Sequence, residues 1–248
     1  MKLSPKPEDK IHVFLVDDHL IFRQGIKLVL EMEGDMVVCG EADGAAMALA
    51  KIESLEVDLA LVDLQLRNSN GLELIKDLQI RYPKLPILVL SMHDEGFYAE
   101  RALRAGARGY INKEGGRDDL IKGIRYVMAG NRFVSESVAA TLIGKSMSGR
   151  VRSDGSTPED LSDRELQIFE LIGGGFSSGE IAAKLHLSVK TVDSHREHIK
   201  RKLDLRNGAQ LAKQAFHWVH HARWEPSTEP SSSGEEESQT SDAPGYSL

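Results

Sequence analysis

Five short runs of apolar, largely β-branched residues, separated by stretches of helical period, constrain the fold of this chain more than any other feature. Ile11–Val16, Met36–Glu41, Leu59–Val62, Pro86–Leu90 and Gly109–Ile111 are each apolar through the middle, as strands are when helices cover both faces of their sheet. Between them, a segment over about Gly44–Leu55 sets Met47, Ala48 and Ile52 on one side, and Leu72, Leu74, Ile75 and Leu78 mark the next helix. Repeated βα units from Ile11 to about Met128 predict an α/β fold, a doubly wound five-stranded parallel sheet whose ligands bind beyond the carboxyl ends of the strands. At 248 residues the chain has room for a second compact domain of about 100 residues.

The carboxyl ends of those strands carry the chemistry. Asp17 and Asp18 follow the first strand, Asp63 the third, Ser91 the fourth and Lys113 the fifth, so all reach one edge of the sheet. Any one of them alone reads as a turn or cap residue. Three carboxylates converging there repel one another unless a hard cation shares them, and Mg²⁺ favours such a shell. With that charge neutralised, the central Asp63 is the nucleophile for phosphorus, Asp17 and Asp18 hold metal beside it, and Lys113 and the Ser91 hydroxyl bind phosphoryl oxygens.

The rest of the chain reads differently. Val138–Ile143 predicts one more short helix, and Ser146–Glu159, with little that can pack, a flexible linker. Ser162-Asp163-Arg164-Glu165 and Ser177-Ser178-Gly179-Glu180 are capping boxes that open two helices. His186-Leu187 is the turn, and Ser188 caps a third helix to about Leu203 with Val192, Ile199 and Leu203 inward. A fourth, from near Asn207, carries an apolar stripe of Leu211, Ala212, Ala215, Phe216, Val219 and Ala222. The expected organisation is a first domain over residues 10–130, a short helix and linker over 131–158, a small all-α helix-turn-helix domain over 159–224, and a disordered acidic tail over 225–248.

A third helix with one buried and one basic face suits the DNA major groove. Lys190, Asp193, Ser194 and Glu197 lie opposite Val192 and Ile199 and are candidates for base edges, although Lys190 serves equally for phosphate. Thr191, Arg196, Lys200 and Arg201 are better placed for the DNA backbone. His195 shares the inward side, as a core histidine or a DNA contact. The adjacent His220 and His221 point apart on a helix and no Cys accompanies them or His217, which argues against zinc there. The net charge of −7 argues against nucleic acid only at first sight, because the segment beyond Trp224 is acidic without Lys or Arg and supplies most of the deficit. The single Cys39, in an apolar run, is expected to be a buried thiol in a reducing compartment. Without an apolar run of spanning length or a signal peptide, a soluble, unexported chain away from the membrane is expected.

From Ile11 to about Met128 the chain resembles the response-regulator receiver family, through Val16-Asp17-Asp18, Val62-Asp63 with Gly71 eight residues on, Leu90-Ser91, and Ala105-Gly106-Ala107 before Gly109-Tyr110-Ile111-Asn112-Lys113. Leu161–Leu203 resembles the LuxR-type DNA-binding domain of the NarL/FixJ subfamily, through Leu161-Ser162, Arg164-Glu165, Glu180-Ile181-Ala182, Leu185, Leu187-Ser188, Lys190-Thr191-Val192, His195 and Lys202-Leu203. The resemblance implies that Asp63 accepts phosphate from a histidine kinase, with Mg²⁺ at Asp18 and Asp63, Asp17 assisting and the Gln65 carbonyl contributing. It implies a switch made of Ser91 and Tyr110, the latter otherwise a core aromatic. It further implies a cytoplasmic, non-enzymatic transcription regulator that binds double-stranded DNA as a homodimer and has RNA polymerase as a further partner. Phosphorylation is expected to expose the DNA-binding domain or to pair receivers, and the apolar stripe on the fourth helix is the expected pairing surface. Two departures stand out: Arg67 where many receivers carry Pro, and Ser178-Gly179 where Asn-Lys is commoner. A Mg²⁺-dependent phosphohydrolase is disfavoured, since Asp63 is followed by Leu64-Gln65 rather than by the Asp-x-Asp pattern and no domain encloses a substrate. A phosphorylation-independent regulator is disfavoured by the intact acidic set.

Overall fold

The computed structural model of the chain describes residues 10–66, 69–92, 95–147 and 157–221. Its first part alternates β1 (Ile11–Val16), α1 (Leu20–Glu31), β2 (Met36–Ala42), α2 (Ala45–Ile52), β3 (Leu59–Val62), α3 (Gly71–Arg81), β4 (Ile87–Ser91), α4 (Glu95–Ala105), β5 (Gly109–Asn112) and α5 (Arg117–Met128). The five strands form one parallel sheet in the order β2-β1-β3-β4-β5. Because successive side chains on a strand point to opposite faces, β1 serves two cores. Phe14 and Val16 pack with Ile75, Leu78 and Ala102 of α3 and α4, whereas Val13 and Leu15 pack with Leu30 of α1 and Ile121 and Ile124 of α5.

Three strands differ at their ends from the sequence reading: β2 runs on to Ala42, β4 covers Ile87–Ser91 instead of Pro86–Leu90, and β5 extends to Asn112. Proline has no N–H for the ladder, so Pro86 contributes only its carbonyl, which accepts from the Ala60 amide at 3.0 Å. Helix α2 stops at Ile52 rather than Leu55, and Met47 is 41% exposed instead of facing inward with Ala48 and Ile52. Cys39 is half-buried rather than sealed in the core, and burial raises its thiol pKa. A two-residue antiparallel pairing of Gln65–Leu66 with Ser69–Asn70 follows β3, too short to leave a periodic signal. Arg67 lies outside the described residues.

The second part holds α6 (Glu136–Met147), a 3₁₀ turn at Pro158–Asp160, and helices α7 (Asp163–Gly173), α8 (Ser178–Leu185), α9 (Val189–Lys202) and α10 (Gly208–His221). Both expected capping boxes form: Ser162 with Glu165 starts α7 and Ser177 with Glu180 starts α8. His186 ends α8 in the left-handed region at φ 53°, making the turn into α9, which Ser188 caps through the Thr191 amide. The 3₁₀ turn, capped by Thr157, occupies the end of the stretch read as linker, and Pro158 is buried. Residues 148–156 and the acidic tail fall outside the described residues. The α10 stripe divides: Leu211 and Ala215 are buried, while Ala212, Phe216 and Val219 are exposed. Ala222 is not among the described residues.

The helical domain rests on α4. The Arg101 guanidinium donates to the Asp163 carboxylate at 3.0 Å and to the carbonyls of Pro158, Glu159 and Leu161 at 3.2, 3.0 and 2.8 Å. Lys76 of α3 pairs with the other oxygen of Asp163, and the Phe97 and Trp218 rings meet edge to face at 4.7 Å. A cavity of about 640 Å³ remains between the domains, walled by Phe97, Tyr98, Leu166, Glu170 and Trp218 and reaching Asp18 and His19 at the sheet edge.

Candidate phosphoacceptor site and nucleic-acid interface

The strand ends bring the acidic residues together as their order in the chain requires. Asp17 and Asp63 directly follow the adjacent β1 and β3, and the Asp63 amide donates to the Val16 carbonyl at 2.8 Å, fixing the two carboxylates side by side. Lys113, one residue past β5, donates to Oδ2 of Asp17 and Oδ2 of Asp63, each at 2.6 Å, with its ammonium stem buried and 4.4 Å above the Phe22 ring. Asp63 Oδ1 accepts from the Gln65 amide at 3.0 Å, so the hairpin after β3 orients the carboxylate. Burial pushes the Asp63 carboxyl above its ordinary pKa, and the Lys113 hydrogen bond and charge work against that rise.

Gly71 explains why the turn after Asp63 lies so close. A Cβ on Gly71 would fall 2.4 Å from the Asp63 carbonyl and 2.5 Å from Leu64 Cα, so only glycine lets α3 start directly beneath the turn that follows Asp63. Asn70 caps that helix by accepting from the Leu72 amide at 2.8 Å.

Ligand atoms of Asp17, Asp18, His19 and Asp63 lie within 4.8 Å of one another. The set is rich in hard oxygen donors, which fits a divalent cation such as Mg²⁺, and the raised Asp63 carboxyl shows the cost of charge that a cation would relieve. Sequence reasoning missed His19. Its amide donates to Asp17 Oδ1 at 2.7 Å and its ring Nδ1 lies 2.9 Å from Asp18 Oδ1. Its position directly after Asp17-Asp18, at the N-cap of α1, was the available signal. Ser91 at the end of β4 and Tyr110 in β5 are both buried, Ser91 in the strand that pairs with the Lys113 side of the sheet.

On α9, Lys190, Asp193, Ser194, Glu197 and Arg201 are exposed and Thr191, Arg196 and Lys200 half-buried, while Val192 and Ile199 are sealed in the core. Several are already engaged. Ser178 donates to Asp193 at 2.8 Å, the Thr191 and Ser188 hydroxyls lie 2.7 Å apart, and Lys200 pairs with Glu197 at 2.9 Å. Ser178, where the family more often has Asn, thus ties α8 to α9. His195 is half-buried beside Glu165, and desolvation lowers its pKa, partly countered by the Glu165 charge. At Glu165 burial opposes ionisation, but Lys202 and the Ser162 cap outweigh it and hold the carboxyl below its ordinary range. Among the described residues, no helix is long and apolar enough to cross a membrane.

Comparison with known proteins agrees with this geometry. Residues 13–125 match the response regulator receiver domain family, and residues 159–215 match the bacterial regulatory proteins of the luxR family. The chain is 31% identical over 228 residues to the transcriptional regulatory protein DegU of Brevibacillus brevis, covering 86% of this chain and 96% of that protein. It is 33% identical over 208 residues to the oxygen regulatory protein NreC of Staphylococcus haemolyticus, covering 82% of this chain and 96% of the relative. Among solved structures it is similar to RcsB from Salmonella enterica serovar Typhimurium bound to promoter rprA with phosphomimetic BeF₃⁻, at 28% identity and a TM-score of 0.60 over 82% of this chain and 97% of that one. With a receiver sheet followed by a LuxR-type helix-turn-helix domain, the chain belongs to the DNA-binding response regulators of two-component systems, in the NarL/FixJ family.

Proposed function

We propose that Asp63 accepts a phosphoryl group from a histidine kinase and that this acyl phosphate sets the affinity of the helix-turn-helix domain for double-stranded DNA. The observation that carries the reading is Lys113 Nζ at 2.6 Å from both Asp63 and Asp17, a fixed cation beside a buried carboxylate pair. Asp63 attacks phosphorus through a carboxylate oxygen; the P–N bond to the donor imidazole breaks, and the leaving nitrogen takes a proton. Asp17, Asp18 and Asp63, with the Gln65 carbonyl, would hold Mg²⁺, which when bound neutralises charge on the transferring oxygens. Lys113 and the Ser91 hydroxyl bind those oxygens, and Tyr110 follows Ser91 as the second part of the switch.

The receiver spans residues 10–130 in this reading, joined through 131–158 to the DNA-binding domain at 159–224, with an acidic tail at 225–248. In the resting form the receiver holds the DNA-binding domain through α4, occupying Trp218 on α10. Drawing Ser91 toward the phosphoryl group shifts the end of β4 relative to α4 and loosens that hold. Phe216 and Val219 are then the surface through which two copies pair, and the two α9 helices read half-sites about one DNA turn apart. Lys190, Asp193, Ser194 and Glu197 reach base edges; Thr191, Arg196, Lys200 and Arg201 hold phosphates, and RNA polymerase is the downstream partner. The site serves signalling rather than turnover of small phosphomonoesters.

The test is intact mass after incubation with Mg²⁺ and acetyl phosphate, followed by size and DNA binding of the same sample. An adduct on wild type and none on Asp63→Asn, with dimerisation and tighter DNA binding in step, supports the reading. DNA binding equal in wild type and Asp63→Asn under every condition contradicts it.

A further inference from the structure

The DNA-binding domain holds a second cluster of metal-ligating side chains, away from the receiver's carboxylates. His195 and His198 lie at i and i+3 on α9 and so share one flank of that helix. Glu165 in the first turn of α7 faces them. One ligand atom from each of the three lies within 4.8 Å of the others, with His198 Nδ1 at 4.0 Å from Glu165 Oε1. We propose that Glu165, His195 and His198 bind a divalent transition-metal ion of the zinc type, clasping α9 to α7.

The cluster is built rather than incidental. Glu165 is buried, and its other oxygen, Oε2, accepts from the Ser162 amide at 2.8 Å and from Lys202 Nζ at 2.7 Å. Those bonds fix the carboxylate and turn Oε1 toward the histidines, the role outer partners play around metal ligands. Bonds of about 2.0–2.2 Å in a tetrahedral site place ligand atoms roughly 3.4 Å apart, so groups within 4.8 Å of one another need to close by at most about 1.4 Å. His198, 51% exposed at its side chain, has the freedom to do so and leaves a solvent-facing position for water as fourth ligand. Two imidazoles and one carboxylate suit Zn²⁺, Ni²⁺ or Cu²⁺ and are poorly suited to Mg²⁺ or Ca²⁺. Lys202 sits on the far oxygen and also donates to the Asp160 carbonyl at 3.2 Å, so it stays in place and leaves Oε1 to the cation.

His198 lies between the buried face of α9 (Val192, Ile199) and the face carrying Lys190, Ser194 and Glu197. A bound cation would cross-link two helices of the DNA-binding domain at the flank of its groove-reading face, without occupying that face.

The experiment titrates the full chain with Zn²⁺ against a chromophoric chelator, with Mg²⁺ in excess to hold the receiver carboxylates, while recording the histidine imidazole resonances. The expected result is one Zn²⁺ site whose affinity falls at least about tenfold in His198→Ala and is unchanged in His220→Ala, with the His195 and His198 signals moving on binding. Equal affinity in wild type and His198→Ala, binding only through α10 histidines or the receiver carboxylates, or no zinc binding at all overturns the proposal.

Discussion

Arg101 on α4 and Asp163 at the start of α7 form a charge-assisted hydrogen bond of 3.0 Å that joins the receiver to the DNA-binding domain. The same guanidinium also satisfies the carbonyls of Pro158, Glu159 and Leu161. Both side chains are mostly buried, so the pair is worth more than an exposed bridge. Arg101→Ala is expected to weaken the docked arrangement by about 1–3 kcal/mol. Small-angle scattering should then show a larger radius of gyration, and the unphosphorylated variant should bind DNA more tightly than wild type. Unchanged dimensions would mean that Phe97 and Trp218 suffice to hold the domains together.

Glu170 makes that docking sensitive to pH. It lines the interdomain cavity with Phe97 and Trp218, and burial pushes its carboxyl up to about 8. Released from the interface, the group returns toward its ordinary value of 4.5. The docked form therefore binds more protons across that interval. Its stabilisation is complete below 4.5 and is lost as pH rises through about 8. Scattering across pH 6 to 9 should show opening in wild type, and Glu170→Gln should remove the dependence.

Gly71 sits where no side chain fits. Gly71→Ala forces a methyl group against the Asp63 carbonyl and Leu64 Cα. The expected cost is about 1–3 kcal/mol in receiver stability, with slower phosphorylation because the displaced backbone carries Asp63. Chemical denaturation and adduct formation on one sample separate the two effects.

Removing Lys113 leaves two buried carboxylates facing each other. Lys113→Met is expected to destabilise the receiver by about 3–5 kcal/mol and to raise the Asp63 carboxyl further. Mg²⁺ should restore part of the melting temperature in the variant, more than it adds to wild type. A variant that melts like wild type and ignores Mg²⁺ would show that the cation is not what reconciles Asp17 with Asp63.

Much of this was legible in the sequence, for physical reasons. Strands buried on both faces read as unbroken apolar runs, so β1 and β3 match their expected limits, and capping boxes mark helix starts, so α7 and α8 begin where expected. The Asp17, Asp63 and Lys113 cluster was visible because the ends of neighbouring parallel strands must share an edge. The two-residue pairing after β3 was not, since Gln65–Leu66 and Ser69–Asn70 are too short for a period. His19 was overlooked because its one signal, adjacency to Asp17-Asp18, reads equally well as the start of α1. The exposure of Met47 escaped because α2 is only 8 residues long, too little to fix the rotation of its apolar face. Nothing in the chain order announces that Arg101, a surface position on an amphipathic helix, finds its partner in another domain.

The most direct measurement is DNA affinity before and after acetyl phosphate with Mg²⁺, made on wild type and Asp63→Asn with the phosphoryl adduct quantified by intact mass in each sample. The expected result is an adduct on wild type alone, accompanied by tighter DNA binding that Asp63→Asn never reaches. An adduct on wild type that leaves DNA affinity and oligomeric state unchanged would contradict the coupling between Asp63 and α9.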